Sequence, residues 1–127
     1  MNLESRKMIM AGWIVSALTG IFMLVSGINL IFIRTPEVKA NFAKFGYPEH
    51  AIAIIGWCAL ISSLLYLIPK TTVVGAILLT GYLGGAIATH LRVDDPTYMV
   101  PLIVGILVWS GIFLREPRLR ELLSFSN

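Results

Sequence analysis

Between Lys70 and Arg92 runs TTVVGAILLTGYLGGAIATHL, residues 71–91, twenty-one residues without a formal charge. A helix needs about 20 predominantly apolar residues to cross the hydrocarbon core, and lipid forces the chain to satisfy its backbone internally. Three more stretches read the same way. They are 8–33 (26 residues), 50–69 (20) and 96–114 (19), and every Lys, Arg, Asp and Glu lies outside all four. Helices of a soluble bundle would carry charges on their outer faces, and none of these does. The composition agrees. Of 127 residues 57% are hydrophobic and 13% charged, against about 25% charged in soluble domains. The fold class predicted is all-α, one integral membrane domain over residues 1–127, a bundle of four transmembrane helices.

Working outward from span three, Pro69-Lys70 leaves room only for a tight hairpin with span two. The loop between spans one and two is longer. Thr35-Pro36-Glu37 has the form of a helix cap with proline at the first turn, and Gly46 and Pro48 supply the stop. Val38, Phe42 and Phe45 recur on one face between them, so a short amphipathic helix is predicted over about 36–45, lying in the membrane interface. The apolar part of span one is longer than the 7 to 15 residues of a secretory signal and lacks a small-residue cleavage pattern before Arg34, so it is read as an anchor.

With four spans, both termini and Lys70 share one side. That side holds six basic and three acidic residues, the other four of each. The positive-inside rule then puts both termini in the cytoplasm. The single cysteine, Cys58, excludes an intramolecular disulfide and a cysteine-rich zinc site. A net charge of +3 with no basic run gives no sign of nucleic-acid binding.

Polar residues inside lipid are expected to face other helices or a cavity. Asn29 near the end of span one and His90 near the end of span three fall in one layer, about 12 to 14 Å from the mid-span positions at 1.5 Å per residue. Tyr82 lies deeper on span three, and Arg92 stands at the mouth. Three readings of this layer compete. In one, His90 hydrogen-bonds a neighbouring helix and Arg92 pairs with Asp94 or Asp95. In the second, Asn29, Tyr82, His90 and Arg92 form a ligand site, donating hydrogen bonds to a carbonyl of a lipophilic molecule. In the third, His50, His90, Asp94 and Glu49 gather a cation, although no established ligand motif is present. No metal and no catalytic residue is assigned. Gly81, Gly85 and Ala88 form a small-residue seam, expected to pack the later helices together or to admit a partner helix. Cys58, Ser62 and Tyr66 form a polar stripe on span two, and Trp57 is placed in the core. With no acid in any span, proton-coupled export in the manner of small four-span exporters is disfavoured.

Phe45-Gly46-Tyr47-Pro48, the run from Gly81 to Arg92 ending Thr89-His90-Leu91-Arg92, Pro69, Asp95-Pro96 and Arg115-Glu116-Pro117-Arg118 together resemble the DoxX-like family of small four-helix membrane proteins. The resemblance implies a four-helix transmembrane bundle, usually in the bacterial inner membrane, with relatives often linked to redox or quinone metabolism. It implies an accessory or non-catalytic protein binding a quinone or similar lipophilic redox molecule between helices. The partners expected are membrane lipid, another copy or a redox subunit. The alternative is a membrane scaffold that binds partner helices through the Gly81 and Gly85 seam. No catalytic residues carry over from the family.

Overall fold

The computed structural model describes residues 2–124. Six α-helices follow in order: α1 (Leu3–Ile28), α2 (Pro36–Lys44), α3 (Glu49–Leu67), α4 (Thr72–Arg92), α5 (Met99–Arg115) and α6 (Pro117–Leu123). No strand occurs among the described residues. The four long segments, Leu3–Ile33, Glu49–Leu67, Pro69–Arg92 and Pro96–Arg115, are long and apolar enough to cross a membrane. They coincide with the four uncharged stretches. Their outward faces carry Leu18, Phe22, Ile54, Ile77 and Ile106, each more than half exposed. In water such a surface would be untenable; in lipid it is the solvent-facing side.

Each boundary has a local cause. Asn2 caps α1, its Oδ1 accepting from the Ser5 N–H at 2.8 Å. At the other end α1 loosens into a π-helical turn, Asn29–Ile33. Arg34, at φ +48°, closes it with its N–H on the Asn29 carbonyl at 2.7 Å. The Thr35 hydroxyl then accepts from the Val38 N–H, with Pro36 at the first position of α2. Gly46 takes φ +86°, a backbone state that costs glycine no side-chain clash, and turns the chain into α3. Asp94, also left-handed at φ +55°, ends the α4 region. Asp95 starts the next turn by accepting from the Thr97 N–H at 2.9 Å.

The long helices form a ring in the order α1, α3, α4, α5, which leaves α1 and α4 on the diagonal. At the core lie Met23, Ala59, Tyr66, Leu79 and Val108, each at most 3% exposed. Close approach depends on glycines outside the expected seam. A Cβ at Gly27 would stand 2.8 Å from the Leu60 nitrogen, and one at Gly12 2.7 Å from the Arg115 nitrogen. These positions bring α1 against α3 and α5. Gly81 and Gly85, by contrast, meet nothing within 4 Å. The expectation that the later helices pack through that seam is therefore corrected: it faces out of the chain. Gly75 instead seats α4 on α3, opposite the Tyr66 backbone.

Two placements on α3 also differ from expectation. Trp57 is 46% exposed and meets Phe32 edge-on, with centroids 6.4 Å apart, so it belongs to the outer face. Cys58 is exposed, while Ser62 and Tyr66 of the same predicted stripe are buried. Most span hydroxyls close onto their own helix and not onto a neighbour. Thr19 donates to the Val15 carbonyl at 2.7 Å, Ser62 to Cys58 at 2.6 Å and Thr80 to Ala76 at 2.7 Å. Local bonds of this kind satisfy the hydroxyls without a partner on another helix, while Thr19 and Ser62 still lie buried inside the bundle, as expected of polar span residues.

Candidate functional site

At the loop end of the bundle, the last turn of α4 holds the residue that follows α2. Arg92 donates from Nη2 to the Phe45 carbonyl. The His90 ring lies against the Phe45 ring, with centroids 4.8 Å apart. His90 Nδ1 sits 2.7 Å from the Ala86 carbonyl, an acceptor, so Nδ1 carries the proton in that contact. Beside them the Tyr47 and Thr89 hydroxyls are 2.9 Å apart, and Thr89 donates to the Gly85 carbonyl at 2.8 Å. Lys44 closes the group on Asp95 at 3.2 Å. Hydrogen bonds from Thr97, together with Lys44, hold the Asp95 carboxyl down at about 2.

These contacts form a latch between the end of α2 with the turn that follows it and the end of α4. Phe45 is buried in it, with Val38 and Phe42 of the predicted apolar stripe half-buried on the same side. Arg92 makes no pair with Asp94 or Asp95 among the described residues; the backbone of Phe45, just past the end of α2, takes its guanidinium. His90 bonds its own helix. Asn29 opens the π-helical turn that continues α1, the helix diagonal to α4, and its Oδ1 is buried and unpartnered. Tyr82 packs against the core two turns from His90. His90 and Arg92 thus meet around Phe45, while no hydrogen bond or ring contact among the described residues joins Asn29 or Tyr82 to them. His50 is exposed, and among the described residues no three His, Cys, Asp or Glu side chains gather as a metal site.

A separate hollow lies elsewhere on the bundle. A groove of about 1080 Å³ opens sideways between α4 and α5, with α6 at its terminal end. Its walls are apolar, among them Leu83, Ile87, Ile106 and Phe113. Gly84 and Gly105 deepen it: a Cβ at Gly84 would meet nothing within 4 Å, and one at Gly105 only Leu83 at 3.8 Å. One polar spot interrupts the walls. Trp109 donates from Nε1 to Thr80 Oγ1 at 2.7 Å, and Ser110 lies beside it on the same lining. None of Asn29, Tyr82, His90 and Arg92 lines this groove.

In the sequence Thr80 and Ser110 are polar residues inside spans three and four, and Trp109 is an aromatic toward the end of span four. Their meeting depends on α4 and α5 being neighbours with their glycines facing one channel. Only Gly84 and Gly105, small residues on consecutive spans, hinted at it.

Comparison with known proteins follows the fold. The DoxX-like family profile matches residues 14–111, from within α1 to within α5, and takes in the whole α4 run that ends in Thr89-His90-Leu91-Arg92. No curated protein matches the chain, and no solved structure does. With more than half its length matched and four helices fit to span a bilayer, the chain belongs to the DoxX-like family and is a membrane protein.

Proposed function

We propose that this protein is a non-catalytic, accessory membrane subunit that takes up a lipophilic redox molecule of the quinone class between helices, in the α4–α5 groove. The observation that carries the reading is the groove itself. Its volume of about 1080 Å³ lies just above the usual range for small-molecule sites, roughly 300 to 1000 Å³, leaving room for a ring and a tail. It opens toward the acyl chains, so a ligand dissolved in the bilayer enters sideways. Apolar walls suit a ring and tail, while the Ser110 hydroxyl offers the donor a ring carbonyl needs, the Thr80 proton and the Trp109 N–H being spent on Ala76 and on Thr80. His90 and Arg92 serve in this reading by closing the loop end, since their own contacts are spent on Phe45 and Ala86.

The test is to purify the protein in mild detergent, add a short-tailed ubiquinone and measure bound quinone after separation. Gly84→Leu should fill the groove and abolish retention, while His90→Ala keeps it. Equal retention by Gly84→Leu and wild type, or none by wild type, overturns the proposal.

A second reading has its own support. The face of Gly81 and Gly85, with open space above it, suits a helix from a partner or another copy, which would make the protein a scaffold. Gly81→Ile with Gly85→Ile should then lower the oligomeric state; an unchanged state ends that reading. In either case we place the chain in a bacterial inner membrane with both termini cytoplasmic and α2 in the opposite interface.

A further inference from the structure

The end of the bundle that carries the termini holds a second concavity, of about 490 Å³, where the α3–α4 turn meets the α5–α6 junction. Three cations border it: Lys70 from the turn, Arg115 from the last residue of α5 and Arg118 from α6. Its single carboxylate, Glu116, is taken by Arg118 Nε at 3.1 Å. Lys70 and Arg115 have no ion pair among the described residues. Arg115 is held in place all the same. Its guanidinium lies 4.0 Å from the centre of the Trp13 ring, and its backbone nitrogen sits where only a glycine, Gly12, leaves α1 room. Its Nε is buried without a partner. The rest of the lining is apolar, with Val73 and Val74 of α4 and Leu122 of α6 among it.

A fixed guanidinium without an acceptor is costly beside a low-dielectric wall unless an anion completes it. Arginine's planar fork fits a phosphate with two hydrogen bonds, and an ammonium at its side adds a point charge. The apolar half of the hollow is of a kind that takes acyl chain and not free anion. We propose that Lys70, Arg115 and Arg118 form a site for the phosphate of an anionic phospholipid, its chains lying along Val73, Val74 and Leu122. No part of this site coincides with the polar spot of the α4–α5 groove.

The experiment compares lipid retained by the whole chain in detergent, read by native mass spectrometry with a melting curve alongside. The probes are phosphatidylglycerol, phosphatidylcholine and inorganic phosphate. Wild type should keep phosphatidylglycerol in preference to phosphatidylcholine and melt higher with it. Lys70→Gln with Arg115→Gln should reduce that preference on the order of tenfold, and Arg115→Lys should restore part of it. Equal retention of the two lipids, or an undiminished preference in the double variant, overturns the proposal. Stabilisation by inorganic phosphate equal to that by phosphatidylglycerol, with no lipid kept, assigns the site to a free anion and also overturns it. If Arg115→Gln does not accumulate, Lys70→Glu on the exposed turn decides, since charge reversal there must lower the preference without disturbing the core.

Discussion

Tyr66 joins three helices through one hydroxyl. From α3 it donates to the Val108 carbonyl of α5 at 2.7 Å and lies 3.3 Å from Ser16 Oγ of α1. Tyr66→Phe keeps the ring and removes that junction, so it should cost about 1 kcal/mol, the usual size of a hydrogen bond between membrane helices. Reversible unfolding in mixed micelles measures it; a loss below experimental error would show the hydroxyl to be incidental. Asp95 makes a different test. Its folded value of about 2 lies below the ordinary 3.8, so its contribution to stability is complete above about pH 4 and disappears as pH falls through about 2. A melting curve across that window should flatten in Asp95→Asn. The sequence opens span four at Pro96 and offers Arg92 as a partner for Asp94 or Asp95. Lys44 holds Asp95 because the last residue of α2 comes beside the turn that follows α4, a contact between residues 51 apart that no local pattern shows.

At the scale of elements, glycines separate packed faces from open ones. Gly75→Leu drives a side chain into the Tyr66 backbone and should destabilise by about 3 kcal/mol or more, at or beyond the upper end of overpacking costs. Gly81→Leu, with open space around it, should leave monomer stability within about 0.5 kcal/mol, as surface changes do. The same unfolding assay compares them, and equal losses would contradict the placement of these faces. The sequence singles out Gly81 as a small residue suited to close packing and gives no such sign for Gly75. Which of them faces a neighbour depends on the ring order, and that is a property of the assembled bundle. The π-turn at Asn29–Ile33 and the helix Pro117–Leu123 were also missed. The first needs a register slip that hydropathy does not record, and the second is too short to show a clear period.

For the whole molecule, charge exclusion was the legible signal. Seventeen ionisable Lys, Arg, Asp and Glu side chains fall between or beyond four apolar runs, and the helices follow those runs to within a few residues, apart from the start of α1. The candidate ligand layer was less legible, because depth along a span says nothing about which helices are diagonal. Asn29 and His90 share a level but not a wall. The groove and the basic hollow arise only when α4 meets α5 and α5 meets α6. All of these features require that Lys70 and Asp94 lie at opposite faces of one bilayer. In a Cys58→Ser background, single cysteines at Lys70 and at Asp94 can be challenged with a membrane-impermeant maleimide in sealed vesicles of one orientation. The expected result is labelling of one position in intact vesicles and of the other only after permeabilisation. Labelling of both from the same face would contradict the four-span bundle.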